Sequence, residues 1–167
     1  DNVSAEKKTE VSENCKQIFY KYQNDLSNYS LKISSDKKFI SALQSQNPKK
    51  GFEAFFDNPE AGIYSVEVYN TRLELFMFNG RQLNPEVIEL KKASLGTRFS
   101  VVKEIGLYTF LVIYEPIIGD GGEIQGVLAA GTIIDVNSSI QNRYFESNSI
   151  TGEIFSDYHI NVVFSFD

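Results

Sequence analysis

One cysteine, one histidine and no tryptophan occur in the 167 residues. A zinc site takes about four nitrogen and sulfur ligands in close array, so Cys15 and His159 do not supply one. The Cys-x-x-Cys-His pattern of haem attachment is absent as well. A Ser-His-Asp arrangement would have to use His159, and no serine lies in a Gly-x-Ser-x-Gly elbow. Cys15 falls on an apolar helix position, where burial is its expected fate. The lack of paired cysteines says nothing about compartment. No apolar run approaches the ~20 residues of a membrane span, and no basic start with an apolar centre marks a signal peptide.

Other chemistries fall away on spacing. Gly119-Asp120-Gly121-Gly122 joins two apolar runs and opens no helix, so it lacks the N-terminal amides of a phosphate loop. It also lacks the spaced carboxylates of a calcium loop. Glu67 with Glu74, or Glu104 with Glu115, could form carboxylate pairs only across strands, where ordinary edge charges look the same. The expectation is a non-catalytic chain without metal or cofactor.

Composition is otherwise that of a globular protein, 42% hydrophobic and 23% charged. The net charge of −6 is uneven: residues 1–50 hold nine lysines and no arginine against six acids, and the rest of the chain is strongly acidic. An acidic sheet-bearing half is a poor partner for nucleic acid, whose affinity comes mainly from phosphate neutralisation. The early lysines form a solvated helix face or lie near an anionic membrane surface.

From about Ala5 to Ser34 there is neither proline nor glycine, and apolar residues recur at Val11, Cys15, Ile18, Tyr22, Leu26, Tyr29 and Ile33. That spacing keeps one stripe on an almost straight helix about 45 Å long. Such a rod exceeds a small sheet, so part of it is expected to project, pairing with a second copy or continuing beyond the chain. Ser34-Ser35-Asp36 caps a second helix with Phe39, Ile40 and Leu43, and Pro48 opens a third with Phe52, Phe55 and Phe56. Strands follow at 63–69 and 73–78, with Leu75 and Met77 expected on one face and Phe76 on the other. Asn84-Pro85 reads as the N-cap and first residue of a short helix reaching about Ala93. A third strand spans 97–105.

Leu107 to Ile118 and Glu123 to Ile134 then read as a hairpin. Both faces of its first strand are apolar, so that strand should be covered on both sides and lie centrally. The second carries Gly126, Ala129, Ala130 and Gly131, which permit close approach. Asp135 is placed to N-cap a helix over 136–145, with a strand pair at 150–155 and 160–166. The chain starts in a polar stretch and stops without a terminating signal, as an excised soluble segment would.

This order of elements resembles the Cache branch of PAS-like extracytoplasmic sensor domains. The resemblance rests on Ser35-Asp36-Lys37-Lys38-Phe39-Ile40-Ser41-Ala42-Leu43 after the long helix, Val66-Glu67-Val68-Tyr69-Asn70, Tyr114-Glu115-Pro116-Ile117-Ile118, and Gly126-Val127-Leu128-Ala129-Ala130-Gly131. The stretch from Val68 to Arg81 is similar to input domains of membrane-bound sensor histidine kinases. The resemblance implies an α+β fold: a long N-terminal helix (1–34) on a central antiparallel sheet of five or more strands, with short helices on the other face. The sensor core would span 35–145 and a C-terminal strand pair 146–167. It also implies a periplasmic location, flanking membrane segments and no catalysis. The Arg-x-Trp-Tyr pattern of amino-acid-binding members has no counterpart here.

A small-molecule pocket is expected between the sheet and segment 79–96. Arg98 and Arg81 are the candidates to fork onto a carboxylate. Tyr69, Tyr108, Tyr114 and Glu67 would supply polar groups beside apolar walls. Ligand binding would shift the N-terminal helix, itself the expected homodimer contact. Input to a chemoreceptor or diguanylate cyclase fits the same pattern. The rival class is a pilin-like structural subunit, in which a long helix also packs on an antiparallel sheet.

Overall fold

The computed structural model describes residues 2–136. The expected helix over 136–145, the terminal strand pair and His159 fall outside the described residues, apart from Val136.

Helix α1 (Asn2–Ser34) is unbroken over 33 residues, about 50 Å. Its stripe behaves as the spacing predicts. Leu26, Tyr29 and Ile33 are buried, while Cys15, Ile18 and Tyr22 pack partly covered against the same core. The helix ends where Ser34 and Ser35 turn their hydroxyls back onto the Leu31 carbonyl. Two residues later the Asp36 carboxylate accepts the Phe39 amide at 2.9 Å and starts α2 (Lys37–Gln44). Asn47 caps α3 (Pro48–Phe56) in the same way, with proline in the first turn.

The strands are β1 (Ser65–Asn70), β2 (Leu75–Asn79), β3 (Phe99–Ile105), β4 (Tyr108–Ile118) and β5 (Ile124–Val136). They form one antiparallel sheet in the order β2-β1-β5-β4-β3. After β2 the chain crosses to the far edge through α4 (Val87–Ser94) and returns inward as a meander, so β5 is central and β4 lies beside it. Both faces of β4 are covered. Leu111, Ile113 and Ile117 enter the core beneath α1, and Phe110, Val112 and Tyr114 enter a second core on the other side.

Four details depart from the sequence reading. Of the short helices only α4 occupies the far face; α2 and α3 share a core with α1. The two-residue link after Ser34 folds α2 back beside α1 and leaves no chain to cross the sheet. Helix α4 starts at Val87 rather than Pro85, because Asn84 adopts φ +46° and gives its carbonyl to Lys103. Glu86 is then the N-cap, its amide donating to Glu89 Oε2 at 2.7 Å. In β2 the register slips opposite Val68 and Tyr69, so Phe76 and Met77 both turn inward while Leu75 and Phe78 are exposed. Finally, Asp135 is a strand residue paired with Thr109, because β5 keeps its ladder with β4 as far as Val136.

Candidate functional site

The position of α1 on the sheet fixes the geometry of everything else. Gln23 Nε2 donates to Ser100 Oγ at 3.3 Å, and Arg98 reaches the Ser27 carbonyl at 3.2 Å. Four helix residues rise about 6 Å and two strand residues about 6.7 Å, so α1 runs antiparallel to β3. Extending that register puts Phe19 beside Val102 and Val11 level with the turn at Gly106. Residues before about Val11 therefore pass beyond the end of the sheet. Strand β5 ends on that same side, since Tyr108 pairs with both Ile105 and Val136. The first turns of α1 and the last described residues of β5 thus lie at the same end of the sheet.

On the α4 face the polar groups form two connected clusters. The buried Glu67 carboxylate accepts the Tyr69 hydroxyl at 2.6 Å and the Leu83 amide at 2.8 Å. Glu89 of α4 accepts the Tyr114 hydroxyl at 2.6 Å and the Lys103 ammonium at 2.7 Å. Each cluster ties the 80–96 crossover to the sheet. Burial, helped by the bond to Glu67, pushes the Tyr69 hydroxyl above its ordinary range, and burial with Glu89 does the same at Tyr114. At Glu89 burial alone would raise the pKa. The bonds from Lys103, Tyr114 and the Glu86 amide outweigh it, and the carboxyl sits below its usual value.

The interface expected to hold a pocket is packed. Leu83, Val112, Tyr114, Val127 and Ala129 are all fully buried there. Leu83 fits because Gly131 has no side chain; a Cβ would lie 2.5 Å from Leu83 Cδ2. Open space lies elsewhere. A groove of about 560 Å³ runs between α1 and the sheet, its walls including Lys21, Asp25, Tyr64, Ser65, Arg81 and Thr132. Arg81 is held with its guanidinium 4.2 Å above the Tyr108 ring, and its amide donates to Ser65 Oγ at 3.0 Å.

Of the six residues expected to meet ligand, Glu67, Tyr69, Tyr108 and Tyr114 belong to the α4 face, where Arg81 covers Tyr108 and also reaches the groove. Arg98 lies on the α1 face. It ion-pairs with Glu115 directly across the strands and lines a separate recess of about 320 Å³ with Ser27 and Phe99. The groove adds Lys21 and Asp25, which on a helix read from the sequence as solvated charges. Glu89 and Lys103 carry no sequence signal, since only the crossover brings them together.

No protein-family model matches this sequence, and no curated protein matches it. Among solved structures the chain is similar to the periplasmic domain of Vibrio cholerae LuxQ, with a TM-score of 0.59 and 14% identity. The match covers 89% of this chain and 69% of that one. At that identity the likeness is one of fold: a PAS-like domain with a long N-terminal helix on a five-stranded antiparallel sheet.

Proposed function

We propose that this chain is the extracytoplasmic sensing domain of a membrane-bound signal receptor, with a two-component sensor histidine kinase as the receptor type. The observation that carries the reading is that α1 runs past the same end of the sheet at which β5 ends. A domain hung between two membrane segments needs that arrangement. The fold likeness to a periplasmic domain supports it. The role is binding and transmission: a signal that favours one seat of α1 over another shifts the population of receptor states by its difference in affinity. Movements of about 1–2 Å at helix interfaces are an established output of this kind. The part of α1 beyond the sheet would meet the same segment of a second copy, making the receptor a homodimer.

A reversible cross-link tests this in the full-length receptor. Gln23→Cys with Ser100→Cys, in a Cys15→Ser background, puts one thiol on each element where the parent side chains meet tip to tip at 3.3 Å. Cysteine reaches less far than glutamine, so a short bis-methanethiosulfonate linker, not a direct disulfide, spans the pair. Cross-linking is expected to freeze receptor output in one state, and cleavage by reductant to restore its response. A receptor that signals normally while locked would remove α1 from the mechanism.

A further inference from the structure

We infer that the groove between α1 and the sheet is a binding site for a small hydroxylated monocarboxylate, held at its carboxylate by Arg81. This rests on the sensing role above only for its consequence, since binding can be measured by itself.

The charges are the first ground. Lys21 comes from α1 and Arg81 from the segment after β2, and among the described residues neither makes an ion pair. Asp25 is the carboxylate on the same wall. Two cations facing one anion leave a single positive charge to be matched, which selects a monoanion. Arg81 is also positioned before any ligand arrives. Its guanidinium carbon stands over the Tyr108 ring, and with no ion-pair partner among the described residues its N–H fork stays available for a planar carboxylate. Ordering that side chain beforehand lowers the entropic cost of binding.

The backbone is the second ground. Ser65 is the first residue of β1 and pairs with Gly131. Beyond that pair, β5 has β4 on one side and, among the described residues, no strand on the other. Alternate residues from Thr132 onward therefore turn N–H and C=O groups toward the open side. The Ser65 hydroxyl accepts the Arg81 amide, which leaves its own proton to donate. With Thr132 and Asp25 it gives the groove donors and acceptors for several ligand hydroxyls. Burial, reinforced by Asp25, raises the Tyr64 hydroxyl pKa, so that phenol stays a neutral donor. A groove of about 560 Å³ is within the usual span for small-molecule sites. Because α1 forms one wall and β5 another, an occupant touches both parts whose relative position would carry the signal.

Calorimetric titration of the 167-residue chain with gluconate, galacturonate and glycerate tests the site, with glucose and acetate as the uncharged and unhydroxylated controls. At least one of the three hydroxy acids is expected to bind more tightly than both controls. Arg81→Gln is expected to weaken that binding at least tenfold, and Arg72→Gln, far from the groove, to leave it unchanged. The site is overturned if none of the three acids binds at about 10 mM, if glucose or acetate binds as well, or if Arg81→Gln makes no difference. Spin labels at Gln17→Cys and Glu104→Cys, in a Cys15→Ser background, separate this from the sensing role. Binding with an unchanged label distance keeps the site and sinks the helix shift; a shift without dependence on Arg81 does the reverse.

Discussion

Arg98 and Glu115 face each other across β3 and β4 on the side covered by α1, and the same guanidinium reaches Ser27 of that helix. One side chain thereby joins the rod to the sheet and compensates a carboxylate that is 9% exposed. Burial raises the Glu115 pKa, and Arg98 only partly opposes it.

The consequence of removing Arg98 depends on pH. Stripping one partner from a buried pair leaves an uncompensated charge costing several kcal/mol. Arg98 is 36% exposed, so solvent screening reduces the expected loss for Arg98→Gln to about 2 kcal/mol at pH 7. With the folded pKa above the unfolded one, native Glu115 binds its proton more readily, and stability falls as pH rises through that window. Urea denaturation should therefore show a smaller loss at pH 5 than at pH 7. Adding Glu115→Gln should recover most of it. Equal losses at both values would mean that the pair contributes packing rather than charge.

Glu89 has the opposite sign. Its pKa is depressed in the fold, so its contribution is present above the unfolded value near 4.5 and is lost as pH falls through the folded one. Glu89→Gln is expected to flatten the acid limb of the stability curve below about pH 4.5. Tyr114→Phe removes a bond to this carboxylate and should cost about 1–2 kcal/mol at neutral pH. An unchanged acid limb in the glutamine variant would argue against the cluster as the anchor of α4.

The fold was legible wherever a repeating pattern met its own buried face. The α1 stripe, the cap at Asp36, the opening of α3 at Pro48 and the doubly apolar β4 each follow from residues adjacent in sequence. The bulge at Phe76 and the late start of α4 did not show. Both are decided by partners on another strand, Val68 and Tyr69 in one case and Lys103 in the other. The proposed site was half legible for the same reason. Arg81 could be singled out as a fork-shaped cation at a strand end. Its neighbours Lys21 and Asp25 come from a helix about 60 residues earlier.

Gly126 tolerates no side chain. A Cβ there would run into the Tyr69 carbonyl of the neighbouring strand and stand 2.9 Å from Leu43 Cδ2. Backbone cannot yield as a flexible side chain can, so Gly126→Ala is expected to cost more than about 3 kcal/mol. Gly122→Ala, in the hairpin loop at φ +82° with nothing near its Cβ, should cost only about 1 kcal/mol. Thermal melts of the two variants separate these outcomes, and similar losses would contradict the tight β1–β5 contact.

Leu26→Ala should lower stability by about 3 kcal/mol, because the side chain is wholly enclosed. Val11→Ala, half-exposed near the level of the last turn of the sheet, should cost well under 1 kcal/mol. Amide exchange along α1 would then rise steeply from Leu26 toward Asn2 in the parent chain. Uniform protection of the whole helix would instead mean that its first turns are covered by something else.

The two elements that share an end differ in how they are fastened. Strand β5 is laced by backbone hydrogen bonds to β4 along its length and to β1 over Gly126–Gly131, whereas α1 adheres through side chains and a few polar contacts. Under an axial load applied to both, the laced strand behaves as a fixed post. In the proposed receptor the helix would be the piston, its stroke limited by how far Leu26, Tyr29 and Ile33 can travel before leaving their sockets.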